Sequence, residues 1–357
     1  MKRFGAFILI GCLLLCACTA GGAKDAAYEP TAEPTEEPTP EPIAEEAISF
    51  EATPEPTLLP TPEPTPEPTP APTPTPTPEP TPEPTGLLGV RYLEKFTDEP
   101  TLDGWHYSDR SMSLTVEKFT VYETYGKAQT YYVADIYVQD VTLIRAAAAR
   151  GSFKHGYGRV VKEIADDAGA LLAIDGDSYF GFKDSLVYRN GELYRKNLRD
   201  KTDLCILYRD GTMETKAWGT FKLADIINAD PWQVWSFGPR LLEEDGSPRT
   251  IKHKLSYENP RSAIGYYEPG HYCFVIVDGR QVVDEKGTFS DGMTLDQLSQ
   301  LMSDLGCKAA YNLDGGASAE MYWNGEIISR SSNATRVVSD IIYLVPTWTE
   351  APKTEEP

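Results

Sequence analysis

The chain has 357 residues, 54 Asp plus Glu against 33 Lys plus Arg, and a formal net charge of -21. Thirteen of the acidic residues lie between Glu29 and Glu83, a stretch without Lys or Arg, leaving -8 for everything else. Neither part offers the basic patch that nucleic-acid binding requires, so no nucleic-acid partner is expected.

Lys2 and Arg3 precede an apolar run from Phe4 to Leu15, too short for a stable bilayer span and laid out like a secretory signal. The run ends in Leu15-Cys16-Ala17-Cys18, followed by Thr19-Ala20-Gly21-Gly22. This resembles the lipobox of bacterial lipoproteins, in which a small residue precedes a cysteine that is lipidated after cleavage. Residues 1–18 are therefore expected to be a signal peptide with Cys18 as its lipidation site. The mature protein would be exported and held on the outer face of the cell membrane; an ordinary signal peptide cut nearby would make it secreted instead. Residues 19–85 follow as a stalk dominated by Thr-Pro and Glu-Pro dipeptides. Dense proline forbids helix and central strand, and few apolar groups are available for burial, so this segment is expected to be disordered, extended and solvated.

Residues 86–347 are long enough for one large domain, and residues 348–357 form a short polar tail. Met112 to Val121 and Gln129 to Val138 read as strands rich in Val, Tyr, Phe and Thr. A stripe of Val160, Ile164 and Ala168 predicts a helix closed by Gly169. Ala170 to Ile174 is a short strand that stops at Asp175-Gly176-Asp177. Leu186 to Arg195 is a hairpin around Asn190-Gly191, and Leu204 to Ala217 is a second hairpin around Asp210-Gly211. Leu223 to Asn228 reads as a short helix, then Arg261 to Tyr267 and Tyr272 to Val277 as adjacent strands, the second ending at Asp278-Gly279-Arg280. Thr294 with Gln297 is a capping-box signature for a helix that presents Leu295, Leu298, Leu301, Met302 and Leu305 on one face and closes at Gly306. The strand Ala309 to Leu313 then reaches Asp314-Gly315-Gly316, and Met321 to Trp323 turns back at Asn324-Gly325. The expected fold is α+β: a mixed β-sheet domain with a few flanking helices.

Three strands thus end in Asp-Gly. Each such end fits a plain turn, and each also fits a site, because a carboxylate is held there on fixed backbone while glycine lets that backbone approach a ligand. In open α/β sheets ligands gather beyond the carboxyl ends of strands, so strands lying side by side and in one direction would bring the three ends to one pocket.

Several motifs occur in an order that resembles the phosphodiester glycosidase family: AIDGDSYF at Ala173 to Phe180, SFGPRLL at Ser236 to Leu242, NPRSAIG at Asn259 to Gly265, FVIVDGR at Phe274 to Arg280, NLDGGASAEMYWNG at Asn312 to Gly325, and RVVSDIIYLVP at Arg336 to Pro346. The family is known for removing N-acetylglucosamine from a phosphodiester, and many bacterial members are described as exopolysaccharide-related. Four positions depart from its pattern. Asp175 stands where Asn is usual, and in the glycine-rich motif Ala317, Ala319 and Glu320 replace a glycine and two small hydroxyl residues. The resemblance implies a hydrolase acting on a sugar-1-phosphodiester of an envelope or secreted glycan. It also implies a glycan or sugar-phosphate partner, and a membrane partner only through the lipid anchor.

Cleaving a sugar from a phosphodiester calls for carboxylates that act as acid, base or nucleophile, and for cations that hold phosphate. Asp177, Asp314 and Asp278 are the carboxylate candidates. Arg261 and Arg280 suit phosphate because the guanidinium fork matches two of its oxygens. Asn312 and Ser318 are expected to orient sugar or carboxylate, and Gly315 and Gly316 to admit the ligand. Glu320 adds charge that would repel phosphate unless paired. Tyr179 and Phe180 read as packing beneath the pocket, and Arg336 and Asp340 as the two ends of a solvated strand entry. No cofactor or metal is expected: His106, His155, His253 and His271 lack ligand spacing, and Asp175-Gly176-Asp177 lacks the remainder of an EF-hand loop. Residues 316–320 lack the final glycine of a Gly-x-Ser-x-Gly elbow. Cys205, Cys273 and Cys307 sit in or beside apolar strands and can form at most one disulfide among themselves. A non-catalytic module that binds glycan or wall polymer on the same scaffold is the alternative.

Overall fold

The computed structural model describes residue 88 and residues 91–122, 127–153, 157–180, 185–253, 256–282, 289–329 and 336–346. The chain divides into two units, Met1–Thr75 and Pro76–Pro357, and every described residue belongs to the second. The signal peptide with Cys18, the stalk and the polar tail lie outside the described residues.

The second unit opens with an antiparallel meander of β1 (Thr101–Asp103), β2 (His106–Ser108), β3 (Met112–Tyr122) and β4 (Ala128–Val138). Next come β5 (Arg145–Ala148), α1 (Val161–Ala168) and β6 (Leu172–Asp175). The stretch β7 (Leu186–Arg189), β8 (Glu192–Lys196), β9 (Leu204–Leu207), β10 (Met213–Lys216), α2 (Leu223–Asn228) and β11 (Gln233–Trp235) builds a sheet of order β10-β9-β11-β7-β8. The long strands β12 (Arg261–Glu268) and β13 (His271–Val277) rejoin the first sheet, and β14 (Gln281–Val282) pairs with β15 (Phe289–Ser290). After α3 (Leu295–Asp304), β16 (Ala309–Asn312) completes the first sheet in the order β1-β2-β3-β4-β13-β12-β16. Finally β17 (Met321–Trp323), β18 (Glu326–Ile327) and β19 (Asp340–Leu344) join the earlier strands in a third sheet, β18-β17-β6-β19-β5.

Local chemistry accounts for the element ends. The hairpin β7-β8 turns on Asn190 and Gly191, both with positive φ, as a two-residue turn matched to strand twist requires. The Thr294 hydroxyl accepts from the Gln297 backbone N–H at 3.1 Å, and the Gln297 side chain accepts from the Thr294 N–H at 2.8 Å, so the capping box forms as read from sequence. Helix α1 closes on Gly169 in the left-handed conformation.

The main core lies on one face of the first sheet, where Leu114, Ile136, Phe274, Ile264 and Tyr311 pack against Ile174, Met321 and Ile342 of the third sheet and Trp235 of the second. On the other face, Val275, Val277, Ala263 and Ala310 pack against Leu295, Leu298 and Met302 of α3. Full burial of each such aliphatic side chain contributes about 1.5–3 kcal/mol. Helix α1 covers the outer side of the third sheet through Val161, Ile164 and Ala165. The α+β expectation holds, with strand predominating. One part is corrected: every ladder among the described strands is antiparallel. The strands ending at Asp175, Asp278 and Asp314 are therefore not adjacent parallel neighbours. β6 lies in the third sheet, and β12 separates β13 from β16 in the first. Among the described residues no helix is long and apolar enough to cross a membrane.

Candidate active site

Two of the three strand ends meet at the seam between the first and third sheets. The Asp314 N–H donates to the Gly176 carbonyl at 3.1 Å, the Leu313 N–H to the Ser262 carbonyl at 2.8 Å, and the Gly316 N–H to the Pro260 carbonyl at 2.8 Å. Two glycines make this approach possible. A Cβ on Gly315 would lie 2.9 Å from the Pro260 carbonyl oxygen, and one on Gly176 would run into the Asp340 carboxylate. The glycines of these two Asp-Gly pairs are thus fixed by packing rather than by backbone conformation, since neither has a positive φ.

Asp314 is buried at this seam, and both its oxygens are held. Arg336 Nη2 donates to Oδ1 at 2.7 Å, and the Ser318 hydroxyl donates to Oδ2 at 2.9 Å. Arg336 also donates through Nε to Ser318 Oγ at 2.7 Å and through Nη2 to the Gly315 carbonyl at 2.8 Å. A 3-10 turn over Gly316–Ser318 folds the Ser318 hydroxyl back onto the carboxylate. Burial raises the Asp314 pKa, while Arg336, Ser318 and Ser178 pull it back down. Half of the Arg336 side chain stays in solvent, at 47% exposure against 6% for Asp314. The reading of Arg336 as a merely solvated strand entry is therefore corrected: it clamps the aspartate and keeps donors facing outward.

Asp177 occupies a different environment. Its carboxylate accepts from Arg189 Nη2 at 2.9 Å, the Ser236 N–H at 2.9 Å and the Phe237 N–H at 3.1 Å. Arg189 is completely buried and reaches on through Nε to Asp340 Oδ2 at 2.7 Å, while Nη1 donates to the carbonyls of Tyr188 and Val234. Asp340 in turn accepts from the Asp177 N–H at 3.0 Å. Asp340 is wholly buried, which corrects its reading as a solvated strand end. Burial lifts its carboxyl to about 6, with Arg189 opposing that rise. These three charges form an internal brace joining β7, β19 and the turn after β6. The brace underlies a small open cleft lined by Asp177, Ser178, Tyr179, Ser185, Arg199 and Ser236, among others. Ser178 links cleft and seam, since its hydroxyl acts on Asp314. Tyr179 is buried against Val187 and Ala148 as expected, whereas Phe180 is exposed at 38%.

The remaining candidates are spread around this centre. The Arg280 guanidinium reaches the glycine turn, 3.8 Å from where a Cβ on Gly316 would stand, and donates to Asn259 Oδ1. Arg261 faces inward, donating through Nε to the Met293 carbonyl at 2.9 Å and through Nη2 to the Tyr257 carbonyl at 2.5 Å. Burial lowers its pKa to about 10. Asn312 donates to the Gly238 carbonyl at 2.7 Å, tying β16 to the segment after β11. Asp278 is buried at the end of β13, with its carbonyl accepting from Ser290 Oγ at 3.1 Å. Strand β12 stands between it and β16. Sequence reasoning missed Arg189 and Ser178. Ser178 lay within a motif already singled out. The one local signal for Arg189 was a charged residue closing an otherwise apolar strand. Asp175 and Glu320 are both buried, and the charges of Asp314 and Glu320 act on Asp175. Among the described residues no group of three His, Cys, Asp or Glu is arranged to hold a metal ion.

Comparison with known proteins agrees with this arrangement of motifs. The family model for phosphodiester glycosidase matches residues 168–345, which include Asp177, Arg280, Asp314 and Arg336. An uncharacterized SPbeta prophage-derived protein of Bacillus subtilis, YomE, is 30% identical over 167 residues, 45% of this chain; the chain spans 24% of that protein's length. Among solved structures, the zebrafish N-acetylglucosamine-1-phosphodiester alpha-N-acetylglucosaminidase catalytic domain, auto-inhibited by its pro-peptide, has a similar fold. Its TM-score is 0.53 at 20% identity, over 70% of this chain and 88% of that one. A hypothetical protein from Synechocystis gives 0.44 at 13% identity, over 66% and 62%. Through the domain matched at residues 168–345, the chain belongs to the phosphodiester glycosidase family.

Proposed function

We propose that this domain hydrolyses the bond between an anomeric carbon and a phosphodiester oxygen, in an N-acetylglucosamine-type sugar-1-phosphodiester of an envelope or secreted glycan. The observation that carries this reading is Asp314, a buried carboxylate clamped by Arg336 and Ser318 beside a cleft. Hydrolysis breaks the C1–O bond, adds water at C1 and releases a phosphate monoester. That leaving group has a second pKa of about 6, so at neutral pH it needs compensating positive charge more than a proton. The half-exposed Arg336 and the nearby Arg280 supply such charge. Asp314 would then face the positive charge that develops at the anomeric carbon, as base or nucleophile. Asp177 has its oxygens engaged by three donors, which suits a residue that positions Ser178 and the cleft wall rather than one that exchanges protons.

A second reading, a glycan-binding module, is favoured by that same engagement of Asp177 and by the inward-facing Arg261. Incubation of wild type and Asp314→Asn with a defined N-acetylglucosamine-1-phosphodiester separates the two. Release of sugar by wild type alone supports the enzyme. Binding by both proteins with no release by either favours the module.

The N-terminal segments add a location to the proposal. Lipidation at Cys18 would anchor the protein outside the cell membrane, and the roughly 55 proline-rich residues from Glu29 to Glu83, extended at about 3.1 Å per residue, would hold the domain up to roughly 170 Å away. Cys18→Ala should move the protein from the membrane fraction to the medium; unchanged fractionation would refute the anchor.

A further inference from the structure

The antiparallel register that sets Trp323 opposite Leu172, Tyr322 opposite Ala173 and Met321 opposite Ile174 leads on to Glu320, the residue before β17, opposite Asp175, the last residue of β6. Directly opposed residues in such a pair hold their Cβ atoms roughly 5 Å apart on one face. Both side chains are buried, Asp175 completely and Glu320 to 8% exposure. Neither Asp175 oxygen has a hydrogen-bond partner, and nor does Glu320 Oε2. The Ser262 hydroxyl and the Glu320 backbone lie close enough to draw the Asp175 pKa down, yet neither meets hydrogen-bond geometry.

Every group around the pair makes two ionised carboxylates unfavourable. Asp314 adds negative charge next to Asp175, and its own partner Arg336 is already bound to it, to Ser318 and to the Gly315 carbonyl. From β19, Asp340 comes up against Gly176 with its charge answered by Arg189, which also holds Asp177. Ile341, paired with Asp175 on β19, carries no charge; from β12 the neutral Ser262 acts on Asp175, while the neighbouring Arg261 is bonded to the carbonyls of Met293 and Tyr257. Arg280 stands at the Gly316 side of the turn and is bonded to Asn259. An ionised carboxylate can only accept hydrogen bonds, so two of them facing each other with empty lone pairs gain nothing from contact. Once one is protonated it has a donor to give the other.

We propose that Asp175 remains a carboxylic acid at neutral pH and donates its O–H to Glu320, and that Glu320 is a positioning residue whose charge governs how well the Asp314 site accepts an anionic ligand. Burial pushes the Glu320 carboxyl up to about 7 and the Asp175 carboxyl well above the usual range, with Asp314 adding to the latter. Below that pH, Glu320 is neutral and Asp314 is the only negative group of the three. Above it, Glu320 and Asp314 are both charged, and a phosphate-bearing ligand meets two negative groups. The effect on ligand rests on the phosphodiester reading above; the proton held by Asp175 does not.

The experiment uses the intact protein labelled with 13C at Asp and Glu carboxyls, followed by NMR between pH 5 and 9 in wild type, Glu320→Gln and Asp175→Asn. The expected result is one Glu signal titrating near neutrality and absent from E320Q, together with one Asp signal that stays at the carboxylic-acid position throughout and is absent from D175N. Finding every carboxyl ionised at pH 7.5 in wild type overturns the pair. If D175N fails to fold, the unchanging Asp signal of wild type and its response to E320Q carry the same test. A second arm measures binding of N-acetylglucosamine 1-phosphate by calorimetry. Affinity should fall roughly tenfold more from pH 6 to 8.5 in wild type than in E320Q, where only the ligand's own ionisation at about pH 6 remains; equal pH dependence in both overturns the positioning role. A protein that shows both NMR signals but releases no sugar from any phosphodiester supports the pair while refuting the enzyme reading, so the two failures are told apart.

Discussion

Replacing Arg189 by Leu removes the cation that holds Asp177 and Asp340 together in the interior. The guanidinium is wholly buried, makes ion pairs of 2.9 Å and 2.7 Å, and satisfies the carbonyls of Tyr188 and Val234. Its pKa stands above the usual arginine value, because Asp340 and Asp177 outweigh the burial that would lower it. In the variant, Asp177 keeps its backbone donors from Ser236 and Phe237, and Asp340 keeps the Asp177 N–H. Two carboxylates then face each other without a cation. Breaking a buried pair in this way costs about 3–5 kcal/mol, and at about 2–4 °C per kcal/mol for a domain of this size the Tm should fall by about 6–20 °C. The loss should depend on pH. In the wild type the Asp340 pKa, about 6, already lies above its ordinary value, so the folded state binds more protons than the unfolded one between about pH 4 and 6, and stability declines as pH rises through that window. Without Arg189 this pKa rises further. Protonation at pH 5 therefore relieves the repulsion, and the deficit should be larger at pH 8 than at pH 5. Thermal unfolding followed by circular dichroism at both pH values measures this. A loss below about 1 kcal/mol, or an equal loss at the two pH values, would refute the view of these residues as a charge-coupled brace.

Gly315→Ala should impair the seam more than the fold. Its Cβ would meet the Pro260 carbonyl at 2.9 Å, a backbone atom that cannot swing aside, so turnover of a sugar phosphodiester should fall sharply while stability drops by about 1–3 kcal/mol; full activity would show the approach to be slack. Thr294→Ala removes the hydroxyl of the capping box and should cost about 1 kcal/mol in denaturant unfolding, with activity retained. The Sγ atoms of Cys273 and Cys307 lie 3.7 Å apart, in space kept open by the missing side chain of Gly265, while Cys205 is free and buried elsewhere in the core. Refolding with excess oxidised glutathione should therefore join Cys273 to Cys307 and leave Cys205 out of any bridge, as peptide mapping would show; a bridge containing Cys205 would contradict the packing.

What the sequence conveyed best was local. The Thr294–Gln297 cap, the Asn190-Gly191 turn and the Gly169 helix end each follow from a few neighbouring residues, and each is found as read. The strand end at Asp314-Gly315-Gly316 was legible because strand, carboxylate and glycines are contiguous. Strand direction was misjudged for the opposite reason. A helix followed by a short buried strand before both Asp175 and Asp314 suggested parallel neighbours, yet β6 takes its partners from β17 and β19, and β16 takes its partner from β12. Ion-pair partners were the least legible. Arg189 reaches Asp340 across 151 positions, and Arg336 returns to Asp314 only after the chain has folded back on itself. A charged residue discloses its partner only when the topology is known, so Arg336 and Asp340 passed for solvated residues in a stretch of sequence that gave them no visible reason to be buried or paired.

The strand order of the third sheet has a bearing on how the protein is made. β19 lies between β5 and β6, so those two strands have no common ladder until residues 340–344 arrive. A chain that emerges N-terminus first can complete the β1–β4 meander early. It must then carry Leu172, Ala173 and Ile174 with both strand edges open through the synthesis of some 145 further residues, a figure of the order that separates β6 from β17. The seam that holds Asp314 is on this account completed late in synthesis. Any interruption before β19 would leave an apolar strand exposed to aggregation.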